Sequence, residues 1–162
     1  MSTELKALET LHLDSSALPE VPFIPYSEQV TIKLLRIDRA SGQIAVILKG
    51  PPGAHIGLHK HYGSVTLYTI KGAWRYLEHD WVAREGDFIF ETASSAHTFV
   101  TEGTEQVEVF AIVEGALEFL DEEGNSIGIE DWQSMHRRYL DYCAEQGIEP
   151  VDITELNEMP VS

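Results

Sequence analysis

The sequence predicts an all-β protein, a single antiparallel β-sandwich or jelly-roll barrel with one helix packed outside it. Short apolar runs of alternating polarity recur along residues 28–128, and turn signals at Gly72, Gly86 and Gly103 separate them. No helical periodicity interrupts these runs, which favours antiparallel strands over βαβ units. The chain has 162 residues, of which 43% are hydrophobic. It therefore has the size and composition of one globular domain.

After the last strand the periodicity becomes helical. Trp132, Met135, Tyr139 and Cys143 recur at helical spacing, which predicts a helix whose apolar stripe packs on the barrel or on another subunit. Cys143 lies on that stripe and is expected to be an inert buried thiol. We therefore divide this single domain into an amino-terminal arm (1–27), a β-barrel (28–128), a carboxy-terminal helix (130–147) and an acidic tail (148–162).

The arm is rich in proline. Pro19, Pro22 and Pro25 exclude a regular helix across its second half. The apolar segment 21–26 is expected to lie against a sheet or against a neighbouring subunit. Leucines at helical spacing are compatible with a short helix over residues 3–11.

Two features of the barrel are specific enough to predict pairing. Runs 29–37 and 43–49 flank a Ser-Gly turn at residues 41–42, which suits an antiparallel hairpin. Residues 107–113 form an apolar run that is typical of a core strand, and 117–119 is expected to pair across the acidic turn that follows it.

The charge is strongly negative and uneven. The net charge is −16, and residues 102–162 carry 16 acidic and 2 basic side chains, a net of −14. Such a surface repels nucleic acid and anionic lipid, so neither is expected as a partner. No apolar run is long enough to span a membrane, no basic-then-apolar signal begins the chain, and its single cysteine suits a reducing compartment. These features favour a cytoplasmic protein.

His59 and His61 are the first candidate metal ligands. They lie two residues apart, so both imidazoles point to the same face of a β-strand. Neutral imidazole suits Fe, Zn, Ni and Cu. His97 follows a further strand-turn-strand unit and is the third candidate.

These histidines lie in two motifs that resemble the signature of the cupin superfamily. The first, with Gly, His-x-His and Gly, falls on residues 57–72, and the second, with Gly and His, falls on residues 86–97. The acidic ligand of the first motif would fall at Val65 or Thr66, neither of which is acidic. Within the superfamily, residues 68–81 resemble the 2,4'-dihydroxyacetophenone dioxygenase group, and acetylacetone dioxygenase is similar at a greater distance.

The resemblance implies one divalent metal, expected to be Fe(II), held by His59, His61 and His97; purified protein is also compatible with Zn or Ni. Three neutral imidazoles leave the ion its full +2 charge, which favours an anionic enolate. The implied activity is a dioxygenase reaction between dioxygen and a small β-diketone or α-hydroxyketone, in which a C–C bond breaks and both oxygen atoms enter the products. The alternatives are a metal-sensing regulatory cupin and an isomerase or lyase that uses Zn, Mn or Ni.

The resemblance also implies a catalytic network of Glu91, Arg75 and Tyr68 beside the metal. Glu91 matches by its offset from His97, whereas the other two match approximately. If Val65 occupies the acidic position, strand alternation turns Tyr68 away from the barrel, whereas Thr66 there would turn it inward. Exposed strand charges are the alternative for Arg75 and Glu91.

Several other side chains are expected to be less important. His55 shares parity with His59 and is a candidate for the barrel mouth, whereas His79 is expected at a solvent-facing or subunit contact. Trp74, Tyr76 and Trp81 are expected in the core or in an interface, with one of them as a possible pocket wall. The apolar arm and the helix exceed what one barrel needs, which predicts a homodimer or a homotetramer.

Overall fold

The protein folds as two six-stranded antiparallel sheets followed by one helix, in a computed structural model that describes residues 10–154. A short 3-10 turn at Ser15–Ala17 precedes the strands. The elements are β1 (Val21–Pro22), β2 (Thr31–Ile37), β3 (Ile44–Gly50), β4 (His55–His61), β5 (Val65–Lys71), β6 (Ala73–Tyr76), β7 (Ala83–Arg84), β8 (Phe88–Glu91), β9 (Ala96–Glu102), β10 (Val107–Val113), β11 (Leu117–Leu120), β12 (Ser126–Glu130) and α1 (Trp132–Gln146).

From β3 to β11 the chain crosses repeatedly between the two sheets. One sheet has the order β1-β2-β3-β10-β5-β8 and the other has the order β12-β11-β4-β9-β6-β7. The all-β sandwich with a carboxy-terminal helix is thus confirmed. The hairpin of β2 and β3 is confirmed as well, with Leu34 opposite Val46, and Gly42 adopts the positive φ of 78° that its turn requires.

Strand alternation builds the core between the sheets. In β10 the side chains of Val107, Val109, Ala111 and Val113 are buried, and the residues between them are only partly covered. This period of two is what an antiparallel strand with one face on the core requires. Burying one such aliphatic side chain stabilises the fold by about 1.5–3 kcal/mol.

The arm packs on its own chain. Val21 of β1 pairs with Ile32 of β2, and Phe23 is buried in the core. The ring of Tyr26 stacks on Phe119 of β11, with centroids 3.6 Å apart and planes 11° apart. These contacts follow the expectation that the apolar arm lies against a sheet.

The helix α1 begins and ends at well-formed caps. Asp131 accepts hydrogen bonds from the amides of Gln133 and Ser134, and Ser134 Oγ accepts one from the amide of Asp131. Gly147 ends the helix at a φ of 66°. The stripe predicted from the sequence is buried at Met135, Tyr139 and Cys143.

Some predictions fall on residues 1–9 and 155–162, which are not described. They are most of the short helix over 3–11 and the end of the acidic tail. Within residues 10–154, no helix combines the length and the apolarity needed to cross a membrane.

Candidate metal centre

Two neighbouring strands bring three histidines together inside the sandwich. His59 and His61 belong to β4, and His97 on β9 is the cross-strand partner of His59. Their exposed fractions are only 5–6%. The ring centroids of His59 and His61 lie 5.0 Å apart. The structure therefore gathers the three candidate ligands in one buried cluster.

A bulge in β4 determines which histidines face inward. The β4–β9 pairing shifts by one residue between Ile56, opposite Phe99, and His59, opposite His97. The shift reverses the parity of the strand, so Ile56 and His59 are both buried although they lie three residues apart. The expectation that His55 faces the barrel mouth was wrong for this reason, because His55 is exposed.

Burial keeps these imidazoles neutral. It lowers the pKa of His59 to about 4 and that of His61 to about 3, and the neighbouring histidines lower both further. Burial also lowers the pKa of His97. Nδ1 of His59 donates to the carbonyl oxygen of Gly57 at 2.8 Å, which leaves the lone pair of the neutral ring on Nε2. Neutral imidazole is the form that binds a metal.

Glu91 reaches this cluster from the opposite sheet. It is the last residue of β8, and its side chain is 4% exposed. Its Oε1 accepts a hydrogen bond from the hydroxyl of Tyr76, and its Oε2 lies 3.5 Å from His61 Nε2 and 3.8 Å from His97 Nε2. Burial raises the pKa of Glu91 to about 8. The predicted position of Glu91 near the histidines is thus the observed one.

The structure does not bring Tyr68 and Arg75 to the cluster. Tyr68 is 49% exposed because Val65 and Leu67 fill the inner face of β5, which is the register that turns Tyr68 outward. Arg75 lies on the outer face of β6 and pairs with the partly exposed Glu102. Both residues were expected beside the metal, and strand alternation places them elsewhere.

Tyr76, which was expected in the core or in an interface, is buried and lies beside both Glu91 and His97. Besides its hydrogen bond to Glu91, its ring stacks on that of His97, with centroids 4.3 Å apart and planes 18° apart. The signal was available in the sequence: Trp74 and Tyr76 share parity, so a buried Trp74 turns Tyr76 inward and Arg75 outward. His79 also approaches the cluster, with its ring 5.7 Å from that of His97.

The cluster lies between a small cavity and an open cleft. An apolar cavity of about 60 Å³ is lined by His59, His61 and Glu91 on one side. A cleft of about 570 Å³ reaches His97 and Glu91 from the surface, past Trp81 and His79. Ligand pockets usually measure about 300–1,000 Å³, so the cleft has the size for a small organic molecule and the cavity does not.

The types of side chain in this cluster fit a divalent ion, although their ligand atoms do not all point toward one common position. In the described part of the chain, no three His, Cys, Asp or Glu side chains are grouped as an ion would require. Nε2 of His97 instead contacts Ser95 Oγ at 2.8 Å. However, Oε2 of Glu91, which faces Nε2 of His61 and Nε2 of His97, is buried without any hydrogen-bond partner. Unpartnered buried donors and acceptors are costly, and neutral imidazoles with a carboxylate suit Fe, Zn, Ni or Mn.

Comparisons with known proteins agree with this architecture. An oxalate-binding protein from Thermotoga maritima is 30% identical over 69 residues, which are 41% of this chain and 57% of that protein. An RmlC-like cupin protein from Ralstonia eutropha JMP134 is 42% identical, with a TM-score of 0.85 over 91% of this chain and 96% of its own. Acetylacetone dioxygenase from Acinetobacter johnsonii shares the fold, with a TM-score of 0.74 over 87% of this chain and 97% of its own at 18% identity.

The chain spans little more than half the length of the oxalate-binding relative. The model of the ChrR cupin-like domain family matches residues 13–118. The cupin resemblance of the two histidine motifs is thereby confirmed, and the chain belongs to the ChrR cupin-like domain family.

Proposed function

We propose that this protein is an Fe(II)-dependent dioxygenase that cleaves a C–C bond in a small enolisable β-diketone or α-hydroxyketone. The observation that carries the proposal is the cluster of His59, His61 and His97 with an unpartnered carboxylate oxygen at the inner end of the cleft. A structural metal site is normally closed by four protein ligands on all sides, whereas this cluster opens toward solvent-accessible space. The similarity in fold to acetylacetone dioxygenase agrees with this chemistry.

The three imidazoles would hold the metal, with Nε2 of His59 already oriented by Gly57. Fe(II) bound there would supply the positive charge that stabilises an enolate and the redox chemistry that activates dioxygen. Both atoms of dioxygen would enter the two carbonyl products as the C–C bond breaks, so no other reductant is required.

The chain's own groups would handle the substrate proton and the solvent. Oε2 of Glu91 has no hydrogen-bond partner and faces the histidines, and in its ionised form, which a neighbouring cation would favour, it can accept the proton that a ketone loses on enolisation. Tyr76 fixes the carboxylate through Oε1. Apolar walls behind the cluster, such as Phe119 and Leu67, exclude water from the reacting atoms.

Oxygen uptake tests the proposal directly. Apo-protein loaded with Fe(II) under anaerobic conditions is mixed with a panel of β-diketones and aryl hydroxyketones, and oxygen consumption is recorded after air is admitted. We expect one dioxygen per substrate cleaved, both atoms of ¹⁸O₂ in the products, and no uptake by the Zn-loaded protein or by His97→Ala. Iron-loaded protein that consumes no oxygen with any member of the panel would refute the proposal.

A metal-sensing regulatory cupin is the second candidate, and the match to the ChrR cupin-like domain favours it. Redox sensing by a thiol has little support, because Cys143 is 1% exposed and burial raises its pKa. This function predicts tight zinc binding and a zinc-dependent conformational change without turnover. An isomerase or lyase would instead convert the same panel without oxygen, and anaerobic product analysis with Zn, Mn or Ni separates that activity.

A further inference from the structure

The pairing of β5 with β8 places Glu91 directly opposite Val65. These two residues are cross-strand partners, and the next inward pair is Leu67 opposite Ile89. Val65 is 2% exposed and Glu91 is 4% exposed, so both side chains point between the sheets. Directly opposed side chains have Cβ atoms about 4.5–5.5 Å apart. A carboxylate carried at position 91 therefore reaches nearly the same space as one carried at position 65.

The distances around Oε2 of Glu91 are those between ligands of one ion. Oε2 lies 3.5 Å from Nε2 of His61 and 3.8 Å from Nε2 of His97, which is too long for hydrogen bonds. Two donor atoms that are each about 2.1 Å from one ion lie about 3.4 Å apart in a tetrahedron and about 3.0 Å apart at neighbouring positions of an octahedron, which keeps two positions open beside four protein ligands. The carboxylate oxygen is thus separated from both nitrogens by roughly the edge of a coordination polyhedron.

The hydrogen bond from Tyr76 to Oε1 of Glu91 leaves Oε2 directed toward the histidines. Tyr76 donates to Oε1, and the ring of Tyr76 is held by stacking on His97. Oε2 has no partner although it is fully buried. A carboxylate with one oxygen bound by an outer residue and the other oxygen free is a typical arrangement for a metal ligand.

We propose that Glu91 is itself a ligand of the metal, and that it supplies from β8 the carboxylate that Val65 does not supply from β5. This inference rests on the metal site of the proposed function. It changes the ligand set from three histidines to three histidines and one carboxylate. The oxygen that would accept the substrate proton is then the one that binds the ion when no substrate is present.

Cobalt(II) binding to the full-length apo-protein tests the ligand set without any turnover. Its affinity is measured by titration, and its visible absorption reports coordination geometry. Four proteins form a cycle: the parent, Glu91→Gln, Val65→Glu and the double variant Val65→Glu/Glu91→Gln. Glu130→Gln is the matched control, because Glu130 is also buried but contacts Arg138 and Ser134 instead of the histidines.

Weaker binding by Glu91→Gln alone is not decisive, because loss of a residue that only hydrogen-bonds to a metal ligand also lowers metal affinity by about 10–100-fold. The decisive result is whether the effects of Glu91→Gln and Val65→Glu on cobalt affinity are non-additive. We expect Glu91→Gln to weaken binding and to alter the absorption spectrum. Val65→Glu should change the affinity of the parent by less than about threefold, but should restore the affinity of Glu91→Gln to within about tenfold of the parent. The control should bind as the parent does.

Two results would overturn the ligand assignment. The first is that Glu91→Gln binds cobalt as tightly as the parent does. The second is that Val65→Glu tightens cobalt binding equally in the parent and in Glu91→Gln, because the new carboxylate would then be an additional ligand and not a replacement for Glu91. If Glu91→Gln does not fold, Val65→Glu/Glu91→Val replaces it. That variant should match the parent within about tenfold, and an affinity outside this range in either direction would reject the inference. A parent that binds no cobalt would reject the metal site and the proposed function as well.

Discussion

Replacing Tyr76 by phenylalanine isolates one buried hydrogen bond in the candidate site. The variant keeps the ring that stacks on His97 but removes the hydroxyl that donates to Oε1 of Glu91. Tyr76 and Glu91 are 3% and 4% exposed, so water has little access to the carboxylate oxygen that loses its donor. A buried group left without its partner costs about 1–3 kcal/mol. We expect the free energy of unfolding of the metal-free protein to fall by about 2 kcal/mol, equivalent to about 4–8 °C in Tm.

The matched control is Tyr62→Phe. The hydroxyl of Tyr62 also donates to a carboxylate, that of Glu118, but Tyr62 is 48% exposed and the pair lies at the surface. Surface substitutions of this kind usually change stability by less than about 0.5 kcal/mol. Urea unfolding at pH 7 with a chelator present gives both values, provided that the m-values agree. Equal losses in the two variants would refute the view that Tyr76 satisfies a buried carboxylate.

Three further predictions concern the rest of the chain. Cys143 should resist thiol reagents in the folded protein and react as the chain unfolds, because burial covers the thiol and raises its pKa; rapid labelling of native protein would contradict this. Gly63→Ala should lower the free energy of unfolding by about 3 kcal/mol, because the added Cβ would collide with the carbonyl oxygen of Glu114. The control Gly57→Ala, whose Cβ would have no contact closer than 3.8 Å, should unfold in urea as the parent does. The homodimer or homotetramer expected from the sequence should appear in sedimentation, and an 18.2 kDa species alone at micromolar concentration would count against it.

The fold and the histidine cluster were predictable because their signals are local. His59 and His61 share a strand face by spacing alone, and β10 shows its core face by simple alternation. The buried stripe of the helix and its end at Gly147 were likewise predictable from a short stretch of sequence. Each of these features depends on one element at a time.

The errors arose where the position of a side chain depends on pairing between strands. His55 has the parity of His59 in the sequence, but the bulge that separates them appears only when β4 is aligned on β9. Tyr68 had two possible orientations, and the inward packing of Val65 and Leu67 decided between them. Tyr76 and Glu91 are in contact because β6 and β8 belong to opposite sheets whose inner faces pack together. The spacing of residues in the sequence does not predict this contact between sheets.

The same long-range pairing changes the charge expected at the metal. Three neutral imidazoles would leave a divalent ion at +2, whereas an ionised Glu91 in contact with it would leave +1. A monoanionic enolate would then give a neutral centre, and a dianion such as oxalate would leave it negative.

Ligand competition therefore tests the charge argument in the cobalt-loaded protein. Two unit charges about 4 Å apart interact by about 4 kcal/mol at an effective dielectric constant of 20. Glu91→Gln should consequently improve the affinity for oxalate, relative to that for the acetylacetone enolate, by more than about tenfold. Glu130→Gln should leave the ratio unchanged, because its carboxylate is paired with Arg138 away from the histidines. If the ratio is the same in the parent and in Glu91→Gln, the carboxylate of Glu91 does not set the charge that a bound anion meets.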